Sequence, residues 1–478
     1  MQINILGQSL EHWASDVNIQ KCINMYPELV GEESRSPIVL SPTPGLSSMV
    51  EVSGAGQVRE LMTFGDSIYA LIDDTVYKLT VDTTTRTATA NSIGSVSNTS
   101  GPAGWARNLT QIFLLDSTDK AYIITPATDT LAEVTDPDFL GANSVVFLDS
   151  FFIYSVPNTG SMYATDVEDG FTISALDTAS AESNQDNIVA LLEDKQELWV
   201  LGERTVEIWY NAANPTGFPL SRRQGAHIDQ GCSATASAIK INNGLMWLDD
   251  RRYVVMTDGY DIQVVSTPQL NREFSSYDSV STAKAYAHEE NGHLFYVLTF
   301  PSEQKTWVYD LNTGMWHERA YFNSSLSAFE HHLAFNLVKY QGLNICGARN
   351  SGNIYVMAPD LYDDNGDYIR RVRTTAPLNS EFKFLAINDL EVRLETGQAT
   401  STGAGSDPQI SLRYSNDGGH TWSNSMARSM GKIGEYNKPI RWNRLGTARE
   451  WIAELSIVEP IKFTIIDASV NVEVDRNG

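Results

Sequence analysis

A repeated strand signal is the feature that most constrains the fold of this 478-residue chain. An apolar, aromatic-rich run recurs seven times, and its starts are separated by 44, 39, 47, 47, 49 and 49 residues. The runs begin at Ile68, Ile112, Phe151, Leu198, Leu245, Leu294 and Leu343. A period of about 40 to 50 residues is typical of one supersecondary unit copied side by side. The chain is therefore predicted to be built largely from a tandem repeat.

Each repeat is predicted to be an antiparallel β-meander. Polar turns precede the strand signals, as in Gly65-Asp66-Ser67 and Asn291-Gly292-His293, and Gly and Asn tolerate the positive φ of tight turns. A second β-prone run that holds a Tyr or Trp follows in most repeats. These second runs are Val76-Tyr77, Ala121-Tyr122, Met162-Tyr163, Ile208-Trp209, Val308-Tyr309 and Ile354-Tyr355.

The sixth repeat indicates how the meanders assemble. Residues 307–316 place two apolar strands around a turn that contains Asp310, Asn312, Thr313 and Gly314, much as in kelch-type blades. One four-stranded blade cannot bury both of its faces, whereas a closed ring covers them and removes exposed edges. The fold class predicted is all-β, with a β-propeller of about six or seven kelch-like blades. A β-solenoid or a string of sandwiches is the alternative, although solenoid repeats are usually shorter.

The chain divides into three predicted regions: an extended proline-rich N-terminal arm (1–50), the β-propeller (51–376) and a C-terminal β-sandwich (377–478). Prolines such as Pro27, Pro37 and Pro42 exclude a continuous helix or a central strand in the arm, which is expected to lie along another surface. In the C-terminal region, apolar and polar residues alternate as in half-buried strands. The strands predicted there are Leu385–Leu394, Ile410–Tyr414, Trp451–Ile457 and Phe463–Val474. No helix is predicted.

Charge restricts the function. The chain carries 34 basic and 59 acidic side chains, a formal net charge of −25. Proteins that grip DNA through its phosphates need clustered Lys and Arg, so ordinary nucleic-acid binding is disfavoured. Two short basic segments, Ser221–Arg223 and Ile369–Arg373, are interpreted as solvated loops or subunit contacts.

Compartment and cysteine chemistry are read from the same composition. Residues 1–15 lack a basic start followed by a long apolar run, and no stretch has the length of a membrane span, so folding in the cytoplasm is expected. Cys22, Cys232 and Cys346 lie far apart, which argues against a disulfide framework or a zinc site. They are expected to be reduced thiols.

One hairpin motif stands out in the C-terminal region. Ser415, Asp417, Gly419 and Trp422 match an Asp box, in which the Asp caps backbone donors of the turn, Gly takes positive φ and Trp anchors the hairpin in the core. Sialidase-type catalysis would also need an arginine cluster and a Tyr/Glu nucleophile pair, and Asp boxes normally repeat across blades. A single box outside the ring favours a structural role.

Other polar clusters do not match a catalytic or metal site. In the acidic turn Asp363–Asp367, an EF-hand alignment on Gly366 puts Leu361 and Val372 where acidic ligands are required, so a solvated loop is favoured over an irregular cation site. His331 and His332 are adjacent in sequence and are expected at the surface. No catalytic residue, metal ligand or cofactor is predicted, and the chain is not expected to be an enzyme.

Three groups of motifs, in this order, resemble a known family. The first is Asn24-Met25-Tyr26-Pro27 with Thr43-Pro44-Gly45-Leu46; the second is Thr165–Asp169, Ala181–Asp186 and Thr205–Trp209; the third is Arg441–Gly446 with Arg449. Their order and spacing resemble the packaged-DNA stabilisation proteins of short-tailed bacteriophages (podoviruses), also called tail hub or nozzle proteins. The resemblance extends over nearly the whole chain.

The resemblance implies a non-enzymatic virion protein of the phage tail, assembled in the host cytoplasm. It implies a homo-oligomer, most simply a hexameric ring, placed below the portal and its adaptor, which retains the packaged DNA and passes it without specificity during ejection. A tail needle or plug is an implied partner, and tailspikes or fibres are further candidates. Arg441, Arg444 and Arg449 would make a portal-side contact or brace the sandwich by ion pairs, and bracing is favoured. The alternatives are a sialidase-like propeller that binds or hydrolyses glycans, and a cellular protein-interaction propeller.

Overall fold

A computed structural model describes residues 3–12, 17–31, 33–34, 36–181, 186–214, 216–380 and 383–474. Residues Glu182–Gln185 of the second motif group lie outside these residues. Six strands precede the repeat: β1 Leu10–Glu11, β2 Ile19–Gln20, β3 Cys22–Ile23, β4 Met25–Leu29, β5 Ile38–Pro42 and β6 Gly45–Glu51.

Five separate four-stranded antiparallel sheets follow, here called blades 1 to 5. Blade 1 is β7 Val58–Phe64, β8 Ser67–Ile72, β9 Thr75–Asp82 and β10 Thr87–Ser95; blade 2 is β11 Gly104–Arg107, β12 Ile112–Leu115, β13 Ala121–Thr125 and β14 Thr130–Glu133. Blade 3 is β15 Ser144–Leu148, β16 Phe151–Ser155, β17 Ser161–Thr165 and β18 Ile173–Ser180; blade 4 is β19 Ile188–Asp194, β20 Glu197–Gly202, β21 Val206–Asn211 and β22 Leu220–Ile228. Blade 5 is β23 Ile239–Ile241, β24 Gly244–Leu248, β25 Val254–Asp258 and β26 Asp261–Val264.

Two further blades belong to larger sheets. Blade 6 is β27 Lys284–Glu290, β28 His293–Phe300, β29 Lys305–Asp310 and β30 Met315–Glu318. A hairpin, β31 Ala320–Asn323 and β32 Ala328–His331, leads to blade 7, which is β33 Ala334–Tyr340, β34 Leu343–Ala348 and β35 Asn353–Ala358 with β6 as its fourth strand. The described residues therefore contain seven four-stranded units.

The seven strand signals of the sequence are the second strands of these blades. In β8, Ile68 and Ala70 pack toward blade 7, whereas Tyr69 and Leu71 pack toward blade 2. Both faces of such a strand are buried, so its sequence is a continuous apolar run rather than an alternating one. The predicted turn of the sixth repeat is confirmed, because it joins β29 to β30 with Gly314 at φ 68°.

The blades close into a ring. A separate cluster of buried hydrophobic side chains fills each junction between consecutive blades, including the junction of blade 7 with blade 1, where Met49, Val58 and Ile345 meet. Across that last junction the Asn336 side-chain amide donates to the Val58 carbonyl oxygen at 2.8 Å. The propeller expected from the repeat is confirmed.

The N-terminal region is built into both domains instead of remaining a separate arm. Strand β6, which begins at Gly45, pairs with β35 in antiparallel register and so closes blade 7 with residues from the N-terminal region. Strands β4 and β5 belong to a sheet of the sandwich, and β4, which contains Pro27, is its edge strand. An edge position is where a strand tolerates a proline, because one side needs no N–H donor.

The C-terminal domain is a sandwich of two sheets. After β36 Asp363–Asp364 and β37 Asp367–Tyr368, its strands are β38 Arg371–Thr374, β39 Leu385–Leu394, β40 Gln409–Ser415, β41 Met426–Ser429, β42 Ile440–Asn443, β43 Thr447–Ala448, β44 Ile452–Ile457 and β45 Ile465–Val474. One sheet has the order β4-β5-β45-β39-β42, and the other runs β3-β38-β44-β40-β41. The four strands predicted after residue 377 are confirmed, although β38 adds residues before that boundary.

One helix departs from the all-strand expectation. Helix α1, Pro268–Ser276, begins after Thr267, whose side chain accepts a hydrogen bond from the Leu270 N–H, and it buries Leu270 and Phe274 against blades 5 and 6. Thr267 followed by Pro268 is a helix-start signal of the N-cap and N1 type. The prediction of no helix was wrong at this position.

Candidate functional site

The Asp-box hairpin has the geometry of a self-capped turn. The Ser415 hydroxyl donates to Asp417 Oδ1 at 2.7 Å, and the Gly419 N–H donates to Ser415 Oγ at 2.9 Å. The Thr421 N–H and hydroxyl both donate to the Asp417 carboxylate, at 2.8 and 2.6 Å. The Thr421 bonds lower the Asp417 pKa to about 2, because they favour its ionised form. All the bonds are internal to the turn, so the carboxylate is engaged in structure.

Trp422 does not anchor this hairpin in the core as the motif suggested. It is half-buried, and the Arg413 guanidinium carbon lies 4.8 Å from its ring centroid. Arg413 in turn makes a bidentate pair with Glu454, at 2.5 and 2.9 Å. The buried tryptophans of the sandwich are Trp442 and Trp451.

The three arginines of the third motif group have different surroundings. Arg441 lies directly opposite Glu391 on the neighbouring strand and donates to its carboxylate at 2.7 and 3.1 Å. The Arg449 guanidinium stacks on Phe384, with 4.6 Å to the ring centroid. Arg444 is exposed, and the described residues give it no ion pair. Of these three arginines, Arg441 is therefore the one that braces the sandwich by an ion pair among the described residues.

A basic groove adjoins Arg441. A cavity of about 600 Å³ is lined by Glu391, Arg428, Ser429, Lys438, Pro439 and Arg441. Two exposed apolar residues, Ile433 and Tyr436, lie on the neighbouring loop. Two of its three cations are paired with carboxylates, Arg441 with Glu391 and Lys438 with Glu435.

Charge is distributed unequally between the two domains. Of 34 basic and 59 acidic side chains, residues 377–478 hold 11 and 13, which leaves 23 and 46 in residues 1–376. The sandwich region is thus close to neutral at −2, and the propeller with its N-terminal strands carries −23. A partner bearing phosphate or carboxylate groups would be repelled by the propeller and tolerated by the sandwich.

The second basic segment is not a solvated loop. Arg371 and Arg373 are fully buried, and Arg373 donates to the carbonyl oxygens of Ile5, Gln8 and Lys21. The acidic turn is also partly buried: burial raises the pKa of Asp364 to about 7. No group of three or more His, Cys, Asp or Glu suited to a metal ion occurs in the part of the chain that the structure describes.

Comparison with protein families identifies both domains. A family model described as bacteriophage P22 Gp10, beta-propeller, matches residues 1–362, and a second, described as bacteriophage P22 Gp10, beta-sandwich, matches residues 370–473. The chain belongs to the bacteriophage P22 Gp10 family. It is therefore a structural protein of a bacteriophage and a component of the virion. This assignment does not favour the glycan-active alternative.

This member of the P22 Gp10 family was also compared with curated proteins and with solved structures. No curated protein matches its sequence. Among solved structures, the WD40 beta propeller domain of Doa1 is similar at 10% identity, with 66% of this chain and 96% of that chain covered and a TM-score of 0.41. The extracellular domain of a putative hybrid two-component system, BT4673 of B. thetaiotaomicron, is similar at 9% identity, with 76% and 43% covered and a TM-score of 0.44.

Sequence reasoning missed one polar cluster of this P22 Gp10 family member. His331 and His332, expected at the surface, are buried with three further histidines between blades 6 and 7. Their position in apolar strands, as in Ala328–His331 and His293–Phe300, was the available signal.

Among the described residues, no helix is long and apolar enough to cross a bilayer.

Proposed function

We propose that the chain forms a ring-shaped nozzle, or tail hub, of the phage tail. The ring is a homo-oligomer, most simply a hexamer, attached below the portal and head-to-tail adaptor. It retains the packaged genome and serves as its conduit during ejection, with a needle or plug as the closing partner and tailspikes or fibres as further contacts. Assembly takes place in the host cytoplasm, and the protein performs no catalysis.

The observation that carries the proposal is the family match over both domains in chain order, residues 1–362 and 370–473. The charge distribution supports it, because a propeller of −23 repels phosphate and lets DNA slide instead of stick. The tight closure of the ring supports a part whose function is its shape.

The central cavity of one propeller is not the conduit. It has a volume of about 910 Å³ and is lined by inner-strand residues such as Glu60, Lys240 and Lys284. A DNA duplex is wider than its own major groove, which is about 12 Å wide and 8.5 Å deep. A cavity of about 910 Å³ is therefore too small to let a duplex pass. A passage for DNA therefore requires several copies arranged around a common axis.

The test uses DNA-filled particles that lack a tail. Purified protein is added, and the release of DNase-sensitive DNA is followed while electron microscopy counts the copies at the portal vertex. We expect slower release and a ring of six copies. Unchanged release with protein bound elsewhere, or with none bound, would refute the proposal.

A charge reversal on each domain tests which surface contacts the particle. Arg444 is assigned to a partner contact, because it is exposed and has no ion pair within the described residues. Arg444→Glu is expected to weaken binding to the particle by at least tenfold. Arg107→Glu, an exposed site on blade 2 with the same change of charge, is the matched control and should bind normally.

A further inference from the structure

Five of the eight histidines of the chain are buried together, and we call this cluster the histidine joint. Its members, each less than a tenth exposed, are His288, His293, His317, His331 and His332. They come from β27, β28, β30 and the hairpin before blade 7, and Tyr26 of β4 packs on them with ring centroids 5.2 Å from His293 and 6.0 Å from His317. The joint therefore lies where blade 6, blade 7 and the N-terminal segment meet.

A buried guanidinium lies at the centre of the joint. Arg319 Nη1 is 3.2 Å from His288 Nε2, and the guanidinium carbon lies 5.0 Å from the Phe295 ring centroid. Both ring nitrogens of His317 lack a hydrogen-bond partner among the described residues. A proton added to His288 or His317 would place a second cation near Arg319 in a low-dielectric site, which is costly.

The joint also connects the propeller to the sandwich. Next to Arg319, the Ala320 N–H donates to Asn24 Oδ1 and the Asn24 amide donates to the Ala320 carbonyl, both at 2.8 Å. The same amide donates to the Arg370 carbonyl at 2.9 Å, and Ile23 pairs with Glu318 of β30. The residues on either side of Arg319 are thus bonded directly to the N-terminal segment that joins the two domains.

The charged and titratable groups around the joint come from every packed element. Glu290 lies 3.6 Å from His288, Asp310 lies 2.7 Å from His293, and Lys305 pairs with Glu318 at 2.8 Å. Arg349 pairs with Glu330 beside His331, Glu28 faces Tyr26, and Asp364 approaches Arg319 from the turn after blade 7. Tyr286 and Cys346 complete the wall, and burial raises the pKa of both, so they stay neutral near pH 7.

These surroundings separate the histidines into two classes. The hydrogen bond that His293 Nδ1 makes to the Asp310 carboxylate raises the pKa of His293, so its protonated form is favoured. Burial, with Arg319 or Arg349 nearby, lowers the pKa of His288 and His331 to about 4 and of His317 and His332 well below the ordinary value. Four rings are therefore neutral in the folded joint and would take up protons once exposed.

We propose that the histidine joint is an acid-sensitive release: when the medium falls below about pH 6, protons enter the joint, and strands β3 and β4 and the sandwich separate from blades 6 and 7 while blades 1 to 4 stay folded. The sign follows from linkage. The four neutral histidines have a lower pKa in the closed form than in the open form, so the open form binds more protons. The closed form is therefore most stable above about pH 6.5, and it loses stability as the pH falls. His293 and Asp364 act in the opposite direction, since their raised pKa values favour the closed form at low pH.

Hydrogen–deuterium exchange of the full chain at pH 7.4 and pH 5.0, corrected for intrinsic exchange rates, tests the proposal. For each neutral buried histidine, linkage predicts about a 30-fold rise in the opening equilibrium constant between these two pH values. The rise is expected in segments 22–29, 284–331 and 371–374 and not in blades 1 to 4. Equal opening in all blades, or none in these segments, would overturn the proposal.

The substitution His317→Phe removes one of the four neutral histidines and so tests its contribution to the acid-induced opening. Phe has a similar shape and ring packing, and His317 gives up no hydrogen bond to a described residue, so folding at pH 7.4 should be preserved. The acid-induced rise is expected to fall about 30-fold in this variant. His227→Phe, at an exposed ring beside Asp229 in blade 4, is the control and should behave as the wild type. A His317→Phe protein that folds and opens like the wild type contradicts the proposal; if it does not fold, the wild-type exchange map decides.

Discussion

The propeller and the sandwich use the chain in opposite ways. In blades 1 to 6 every strand pairs with the next strand along the chain, so a ring of long circumference is made from short hairpins. In the sandwich, strands from residues 22–42 lie beside strands from residues 371–474, and Ile5, Met25 and Leu40 share a core with Leu390 and Val470. Local pairing leaves a periodic pattern in the sequence, whereas pairing of the two chain ends leaves none. The N-terminal strands are thus the elements on which both domains depend.

Removal of residues 1–51 is expected to have the largest effect. It deletes the outer strand of blade 7 and two strands from one sheet of the sandwich, so cooperative unfolding of both domains should be lost. Calorimetry and circular dichroism of the truncated chain would measure this. Adding a peptide of residues 43–51, which contains β6 and not β5, should restore the propeller transition partly and leave the sandwich unrepaired. A truncated chain with a normal propeller transition would show that the ring closes without β6.

Two buried arginines allow the domains to be perturbed separately. Each collects backbone carbonyl oxygens: Arg59 those of Asp73, Asn98, Gly101 and Asp116, and Arg373 those of Ile5, Gln8 and Lys21. Replacement by Met keeps the aliphatic packing and removes the donors from these buried carbonyl oxygens, at a cost of about 3–5 kcal/mol.

Arg59→Met should lower the unfolding temperature of the propeller, and Arg373→Met that of the sandwich and the N-terminal segment. Differential scanning calorimetry with hydrogen exchange distinguishes the two. If both variants shift one common transition equally, the domains unfold as a single unit and the separation drawn above is wrong.

Asn24 tests the connection between the domains. It combines three buried hydrogen bonds with a φ of 57°, a conformation that Asn adopts more easily than Ala. Asn24→Ala is expected to cost about 3 kcal/mol, because it leaves backbone groups of Ala320 and Arg370 unpaired. Asn437→Ala, at the same φ in an exposed loop, removes only the conformational preference and should cost less than about 1 kcal/mol. Urea titration of both variants gives the difference, and equal losses would mean that the buried bonds contribute nothing.

The same contrast explains what could be predicted from the sequence. The second strand of every blade was identifiable because both of its faces are buried, as at Ile68 to Leu71. The role of Gly45–Glu51 was not, because nothing local shows that it pairs with Asn353–Ala358 about 300 residues later. The burial of Arg373 and His317 was not predicted for a related reason. The residues around them come from distant strands, and an isolated polar side chain in a sequence is ordinarily assigned to solvent.

The Asp-box residues are a case where local sequence is sufficient. Ser415, Asp417 and Gly419 bond within one turn, so spacing alone indicated that they meet, while Trp422 is half-buried over Arg413, whose guanidinium is held by Glu454 of the neighbouring strand β44. The position of Arg441 likewise required the register of β39 and β42. Contacts inside a hairpin are encoded locally, and contacts across a sheet require the topology.

The smallest expected effect concerns the Asp417 carboxylate. Its hydrogen bonds with Thr421 and Ser415 hold its pKa at about 2, below the ordinary value of about 4, so they stabilise the folded sandwich above that ordinary value. This contribution is lost as the pH falls from about 4 to about 2, where the folded and unfolded forms bind the proton equally. Asp417→Asn should therefore unfold at a slightly lower temperature than the wild type at pH 6, with the gap narrowing toward pH 2. Asp407→Asn, which removes a carboxylate that accepts one bond from Ser429, is the control for the loss of an exposed carboxylate at pH 6. A gap that is constant across this range would mean that the Asp box contributes through shape and not through the charge of Asp417.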